Sequence, residues 1–100
     1  MIALVALISP FRSERELARQ RVEAGEFIEI HVATPLAECE RRDPKGLYRK
    51  ARAGEIPAFT GIDDPYERPQ APEITIDTSE LSTDAACDRI IRYLRDNHYL

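Results

Sequence analysis

The apolar positions of this chain fall into runs whose period changes along its length. Ile2 to Ile8, IALVALI, is continuously apolar rather than alternating, as expected of a strand covered on both faces in a parallel sheet. The run stops at Ser9-Pro10, and Arg12 and Arg15 follow. SERELARQRVEAGE then reads as a helix. Ser13 with Glu16 matches a capping box, Leu17, Ala18 and Val22 make a short stripe, and Gly25 suits a left-handed end. FIEIHVA, Phe27 to Ala33, predicts a second strand with Phe27, Ile28, Ile30 and Val32 as its apolar content. Thr34-Pro35 opens a further helix, roughly Pro35 to Arg42, with threonine as its cap and proline in its first turn.

Beyond Asp43-Pro44, KGLYRKARAGE predicts a short helix that stops at Gly54. IPAFTGIDDPYERPQAPE carries four of the seven prolines and has no clear period. A stretch of that length reads as a long ordered loop or a mobile flap. ITIDT is a third strand, and Ser82 to Asp96 a closing helix with Ala86, Cys87, Ile90, Ile91 and Leu94 on one face. This order predicts one α/β domain over 1–100, three layers (α/β/α) around a mainly parallel sheet of about three strands. Ligands of such folds bind beyond the carboxyl ends of the strands, which is where Ser9, Pro10 and Arg12 stand.

Composition narrows the partners. The chain is 43% hydrophobic and 32% charged, which fits a soluble folded domain rather than a disordered one. A net charge of -4 argues against general nucleic-acid binding, which needs many phosphates neutralised. The charge is unevenly spread: Arg41, Arg42, Lys45, Arg49, Lys50 and Arg52 face only Asp43 within their segment, a +5 island on a -9 remainder. Cys39 and Cys87 belong to no C-x-x-C pair, and His31 and His98 stand apart from other ligands, so no metal or disulfide framework is read. The Ile2–Ile8 run is too short to span a bilayer and lacks the features of a signal peptide, so the expectation is a cytoplasmic protein with no membrane partner.

The basic island is the strongest physical clue to chemistry. Lys45, Arg49 and Arg52 recur at i, i+4 and i+7, which a helix would place on one face. A row of cations beside a proline-rich flap can close over a polyanionic substrate; a solvated helix face has the same pattern. Ser9 can equally cap the turn that follows it. Phe59 can stack on a purine or fill a small satellite core.

ISPFRSER, GEFIEIHVATPLAECERRDPKGLYRKARAGEI and FTGIDDPYERP closely resemble the carboxyl-terminal half of adenylyl-sulfate kinase (APS kinase), from about Leu7 to the closing helix. The resemblance implies a partial P-loop kinase fold and transfer of the γ-phosphate of ATP, with Mg²⁺, to the 3′-hydroxyl of adenosine 5′-phosphosulfate (APS). By that resemblance Ile8, Ser9, Lys45, Ala58 and Phe59 match positions that contact APS. Ser9 also matches the family's phosphoserine position, although direct in-line transfer needs no covalent stage and holding APS is the more economical role. The segment from about Arg41 to Gly61 resembles a mobile lid in which Arg42, Arg49 and Arg52 meet phosphates. Ser82 and Cys87 match residues lining the ATP adenine pocket.

The glycines at 25, 46, 54 and 61 form no G-x-x-x-x-G-K-[ST] loop, whose amides would cradle ATP phosphates. The chain therefore reads as half of an enzyme, expected to be inactive alone and to leave the Ile2–Ile8 strand with an exposed apolar edge. Three readings stay open: a truncated or split APS kinase, or the tail of a fusion with an ATP sulfurylase; a non-catalytic nucleotide-binding or assembly module that pairs with a second copy or another APS kinase chain; and an unrelated small α/β binding domain.

Overall fold

Backbone pairing of the sheet comes from two short apolar segments that lie far apart in the chain. The computed structural model describes residues 1–100. Its elements are α1 (Arg12–Arg19), β1 (Ile30–Val32), α2 (Leu36–Arg42), α3 (Leu47–Arg52), β2 (Ile74–Ile76) and α4 (Thr83–Asp96). β1 and β2 run parallel with Ile30 opposite Ile74 and Val32 opposite Ile76. The ladder continues past both ends, from the Ile74 amide to the Glu29 carbonyl and from the Ala33 amide to the Ile76 carbonyl. The fold is α/β with a parallel sheet, as expected.

Alternation along the strands sets the two faces. Ile74 and Ile76 are buried with Ala86 of α4, and Ile28, Ile30, Leu81, Ile90 and Tyr93 pack around them. Ala86, Ile90 and Tyr93 recur at i, i+4 and i+7, so this is the buried stripe of α4; Cys87 and Ile91 lie outside it and are exposed. On the opposite face Glu29 and His31 meet α1 and the loop after α3. Arg15 forms an ion pair with Glu29 at 3.2 Å, and His31 stacks on Tyr66 with ring centres 6.2 Å apart.

The expected first strand is corrected. Residues 1–9 make no backbone–backbone hydrogen bond, and Leu4 and Leu7 are 86% and 77% exposed. The sheet has two strands rather than about three. An apolar run specifies burial but not a partner, and neither β1 nor β2 takes this segment up.

Two expected caps are corrected as well. The N-terminus of α1 is satisfied by Glu67, whose Oε1 accepts the Arg12 amide at 2.8 Å, and not by Ser13, which lies inside the helix. Thr34 does not cap α2; its hydroxyl bonds Thr78 at the end of β2 instead. Ser82 caps α4 as expected, accepting the Ala85 amide.

Arg15 joins three segments. Its Nη1 donates to the Ser9 carbonyl at 2.5 Å, its Nη2 to the Glu67 carbonyl at 2.6 Å, and its Nε faces Glu29. The side chain is only 11% exposed and Glu29 16%, so the pair lies largely out of water. Arg15→Met leaves two carbonyls without a partner and the Glu29 carboxylate with only Arg19, 4.0 Å away, and should lower the free energy of unfolding by about 3 kcal/mol, read from urea denaturation. The exposed apolar segment predicts concentration-dependent self-association in sedimentation velocity. Leu4→Lys with Leu7→Lys should abolish that association and leave the urea midpoint unchanged, because neither side chain is part of the folded core.

Candidate functional site

The sequence-derived candidates fall into three groups, each held by a different device. The first is the turn before α1. Ser9 has φ +44°, in the left-handed region, although proline follows it and disfavours helical conformations there. Its carbonyl is held by Arg15, and the next carbonyl, of Pro10, accepts the Glu67 amide at 2.8 Å. The Ser9 hydroxyl makes no hydrogen bond within the chain and is half-exposed, so it is available to a ligand. Ile8 beside it is exposed.

The second group is α2, α3 and the loop that follows. Asp43 ends α2, and its two carboxylate oxygens accept the amides of Tyr48 and Arg49, the second and third residues of α3. Gly46 sits between them at φ +67°, where a Cβ would stand 3.2 Å from the Arg49 guanidinium. The D-P-K-G-L-Y block is therefore a helix-start device, and Lys45 precedes the helix. A single helical row of Lys45, Arg49 and Arg52 does not form.

After α3 the chain turns through Gly54, φ +78°, and reaches a second carboxylate device. Asp63 accepts the amides of Ala58 and Phe59 at 2.8 and 2.5 Å. The Phe59 carbonyl receives the amides of Ile62, Asp63 and Asp64. Phe59 meets Tyr48 edge-on with ring centres 5.1 Å apart, and burial pushes the Tyr48 phenol above its ordinary pKa. Ala58, Phe59 and α3 are thus one ordered unit, so the proline-rich stretch begins as an ordered loop.

The basic island is smaller than the sequence suggested, because acids just outside it reach back. Arg41 and Arg42 both bond Glu38, one turn earlier, and Arg52 bonds Glu40 through Nε at 2.7 Å and Nη2 at 3.1 Å. Arg42 also donates to the hydroxyl and carbonyl of Thr78. Arg42 and Arg52, expected to meet phosphates, are committed within the chain here. Lys45, Arg49 and Lys50 form no ion pair, and Arg49 and Lys50 line a shallow recess with Ala53 and Glu55.

The third group is the start of α4. The Ser82 hydroxyl is engaged by the Ala85 amide, and Cys87 stands exposed one turn on, not in the core. No hydrogen bond or ion pair joins Ser9 to Lys45 or Phe59, nor either of those to Ser82. The second group reaches no residue of the third directly; Arg42 bonds Thr78, which opens the loop leading to α4. A polar cleft of about 580 Å³ is lined by Arg12, Arg15, Arg19, Glu29 and Glu73; Arg15 pairs with Glu29 and Arg19 with Glu73, while Arg12 Nε donates to the Arg68 carbonyl. His31 near this side is held below its ordinary pKa by burial and by the charge of Arg68.

Sequence reasoning missed Glu38 and Glu40, although the i, i+3 and i, i+4 spacing of Glu38 from Arg41 and Arg42 was a usable signal. It also missed Arg15 as a clamp and the threonines that end both strands.

Known proteins resemble the chain throughout. The family model for adenylylsulphate kinase matches residues 1–77. Adenylyl-sulfate kinases of Bacillus pumilus and Pseudomonas aeruginosa are 56% identical over 95 residues and 58% identical over 97, which is 95% and 97% of this chain and 48% and 50% of theirs. A solved APS kinase of Mycobacterium tuberculosis, in complex with AMPPNP and APS, is 49% identical with a TM-score of 0.83 over 89% of this chain and 52% of that one. The chain spans about half the length of the curated relatives it matches.

Hydrogen bonds from Arg41 and then Arg42 hold the Glu38 carboxyl down to about 2, below its ordinary 4.5. A depressed folded-state value means the stabilisation is complete above the ordinary value and fades as pH falls toward the folded one. The Arg42–Thr78 connection should therefore loosen between about pH 4.5 and 2, seen as a shift of the Arg42 Nε–H resonance that Glu38→Gln removes.

Proposed function

This chain belongs to the adenylylsulphate kinase family and has the α/β fold of P-loop kinases, and from that premise we propose that it supplies the APS-facing rim and the lid of a kinase that makes 3′-phosphoadenylyl sulfate in sulfate activation. In that reaction the 3′-hydroxyl oxygen of APS attacks the γ-phosphorus of ATP. The bond to the β–γ bridging oxygen breaks, ADP leaves, and the hydroxyl proton is released. The observation that carries the reading is the build of the lid: two carboxylate-capped turns bring Phe59 against α3 while leaving Lys45 and Arg49 free of internal partners.

Ile8, Ser9 and Lys45, with Ala58 and Phe59, would hold APS, with Phe59 against the adenine. The unengaged Ser9 hydroxyl suits a ligand contact. Its neighbours include no side chain acting on it as a base, which supports holding substrate over a phosphoserine stage. Lys45 and Arg49 would meet phosphate charge first, Arg42 and Arg52 only on exchanging their carboxylate partners. Ser82 and Cys87 would lie toward the ATP adenine. Mg²⁺ would enter with ATP and balance its phosphate charge, but the residues present do not fit a site for it, since no three acidic, histidine or cysteine side chains converge.

No helix is long and apolar enough to cross a membrane. A second reading, a module that works only by pairing with another chain, draws on the exposed Ile2–Ile8 segment.

Calorimetry and a coupled assay test both readings. The 100 residues alone should bind APS, Lys45→Ala and Phe59→Ala should each weaken that binding about tenfold, and turnover with Mg²⁺-ATP should be negligible. Mixing with a separately produced P-loop half of a relative should restore product. Absence of APS binding would remove the site reading, and ordinary turnover by the chain alone would remove the division of labour.

A further inference from the structure

The carboxyl ends of the two strands are fastened by their own threonines. Thr34 Oγ1 and Thr78 Oγ1 lie 2.6 Å apart, and the Thr78 amide donates to Thr34 Oγ1 at 3.0 Å. Arg42, the last residue of α2, completes the cluster: Nη1 donates to Thr78 Oγ1 at 2.8 Å, Nη2 to the Thr78 carbonyl at 3.0 Å, and Nε to Glu38 Oε1 at 2.9 Å. A planar fork meets three acceptors in two directions, a geometry that a lysine ammonium cannot reproduce.

The position of this cluster in the chain gives it reach. Arg42 directly precedes Asp43, whose carboxylate holds the first amides of α3. Thr78 opens the turn that runs to Ser82, in which the Glu80 and Leu81 amides bond the Asp77 carbonyl. The other polar route is the Thr34–Thr78 pair, which enters at the start of α2; Arg42 is the one that enters at its end, beside α3.

We propose that Arg42 is a positioning residue that couples the root of the lid to the loop between β2 and α4, so that order on either side stabilises the other. Assigning the two sides to APS and to ATP rests on the function proposed above; the coupling does not. In a two-substrate transfer the link would report closure over one substrate to the loop beside the other.

Native-state hydrogen exchange on the full 100 residues tests this. Thr78→Val and Arg42→Lys should each speed exchange about tenfold at Tyr48 and Arg49 in α3 and also at Glu80 and Leu81. The Ala33 and Ile74 amides of the ladder should keep their protection, and Thr78→Ser should restore wild-type rates. The proposal is overturned if Thr78→Val leaves Tyr48 and Arg49 unchanged, if the ladder amides lose protection equally, or if Thr78→Ser fails to rescue. A second arm adds APS: it should slow exchange at Glu80 and Leu81 in the wild type but not in Arg42→Lys. If APS protects no amide while the ligand-free rates behave as stated, the substrate reading fails and the coupling stands.

Discussion

One guanidinium holds the site's geometry. Arg15 reaches the Ser9 carbonyl, the Glu67 carbonyl and the Glu29 carboxylate, and its cation lies 5.8 Å from the centre of the Tyr66 ring. Only Ala51, Ile74, Ile76 and Ala86 are buried, so apolar packing cannot fix the relative positions of the turn, the strand and the long loop. Directional polar bonds must do so. A largely buried ion pair adds little net stability over an apolar substitute, but it specifies which segments meet. The same clamp explains Ser9: a left-handed residue before proline persists only where its surroundings over-determine it, and here its carbonyl and the next are both held.

The electrostatics follow a similar economy. Three of the six cations between Arg41 and Arg52 are held by Glu38 and Glu40, which the count by segment left out. These exposed pairs are weak individually and exchangeable, so they orient the arginines without locking them. What remains uncompensated is Lys45, Arg49 and Lys50, a narrower positive surface around the start of α3. As the lid proposed above, a segment with every cation free would attract any polyanion, whereas one with half of them occupied by nearby carboxylates admits an anion that can compete for them.

Local signals in the sequence located α3 and α4 well, although the first helix, expected to end at Gly25, ends at Arg19. Gly46 and Gly54 bracket α3, and Ser82 caps α4, because left-handed turns and side-chain caps act over three or four residues. Long-range choices were not legible. Ser13 had the right spacing for a cap, yet Glu67, 55 residues beyond Arg12, took that role for α1. Ile2–Ile8 had the composition of a buried strand, yet composition does not name a ladder partner. On α4 the expected apolar face was right at Ala86 and Ile90 but not at Cys87 and Ile91: Tyr93 packs against the core instead, its amphipathic ring covering apolar surface. The resemblance identified the family, but the roles of Thr34, Thr78 and Arg42 emerged only from their distances.

The segment proposed above as a lid, from about Arg41 to Gly61, is ordered by bonds close in sequence. Its two turns are ordered by Asp43 and Asp63, each accepting two backbone amides close in sequence, and its aromatic contact between Tyr48 and Phe59 is internal. Little of it is buried against the sheet: Ala51 alone among its residues is buried. A unit ordered by its own bonds keeps its shape when displaced, whereas a unit ordered by burial loses shape as it leaves the core. The ties that would change on displacement are therefore polar ones, those of Arg42 to Thr78, of Arg41 and Arg42 to Glu38 and of Arg52 to Glu40. Polar bonds of moderate strength are suited to exchange at such junctions, because water or a phosphate can replace them at small cost.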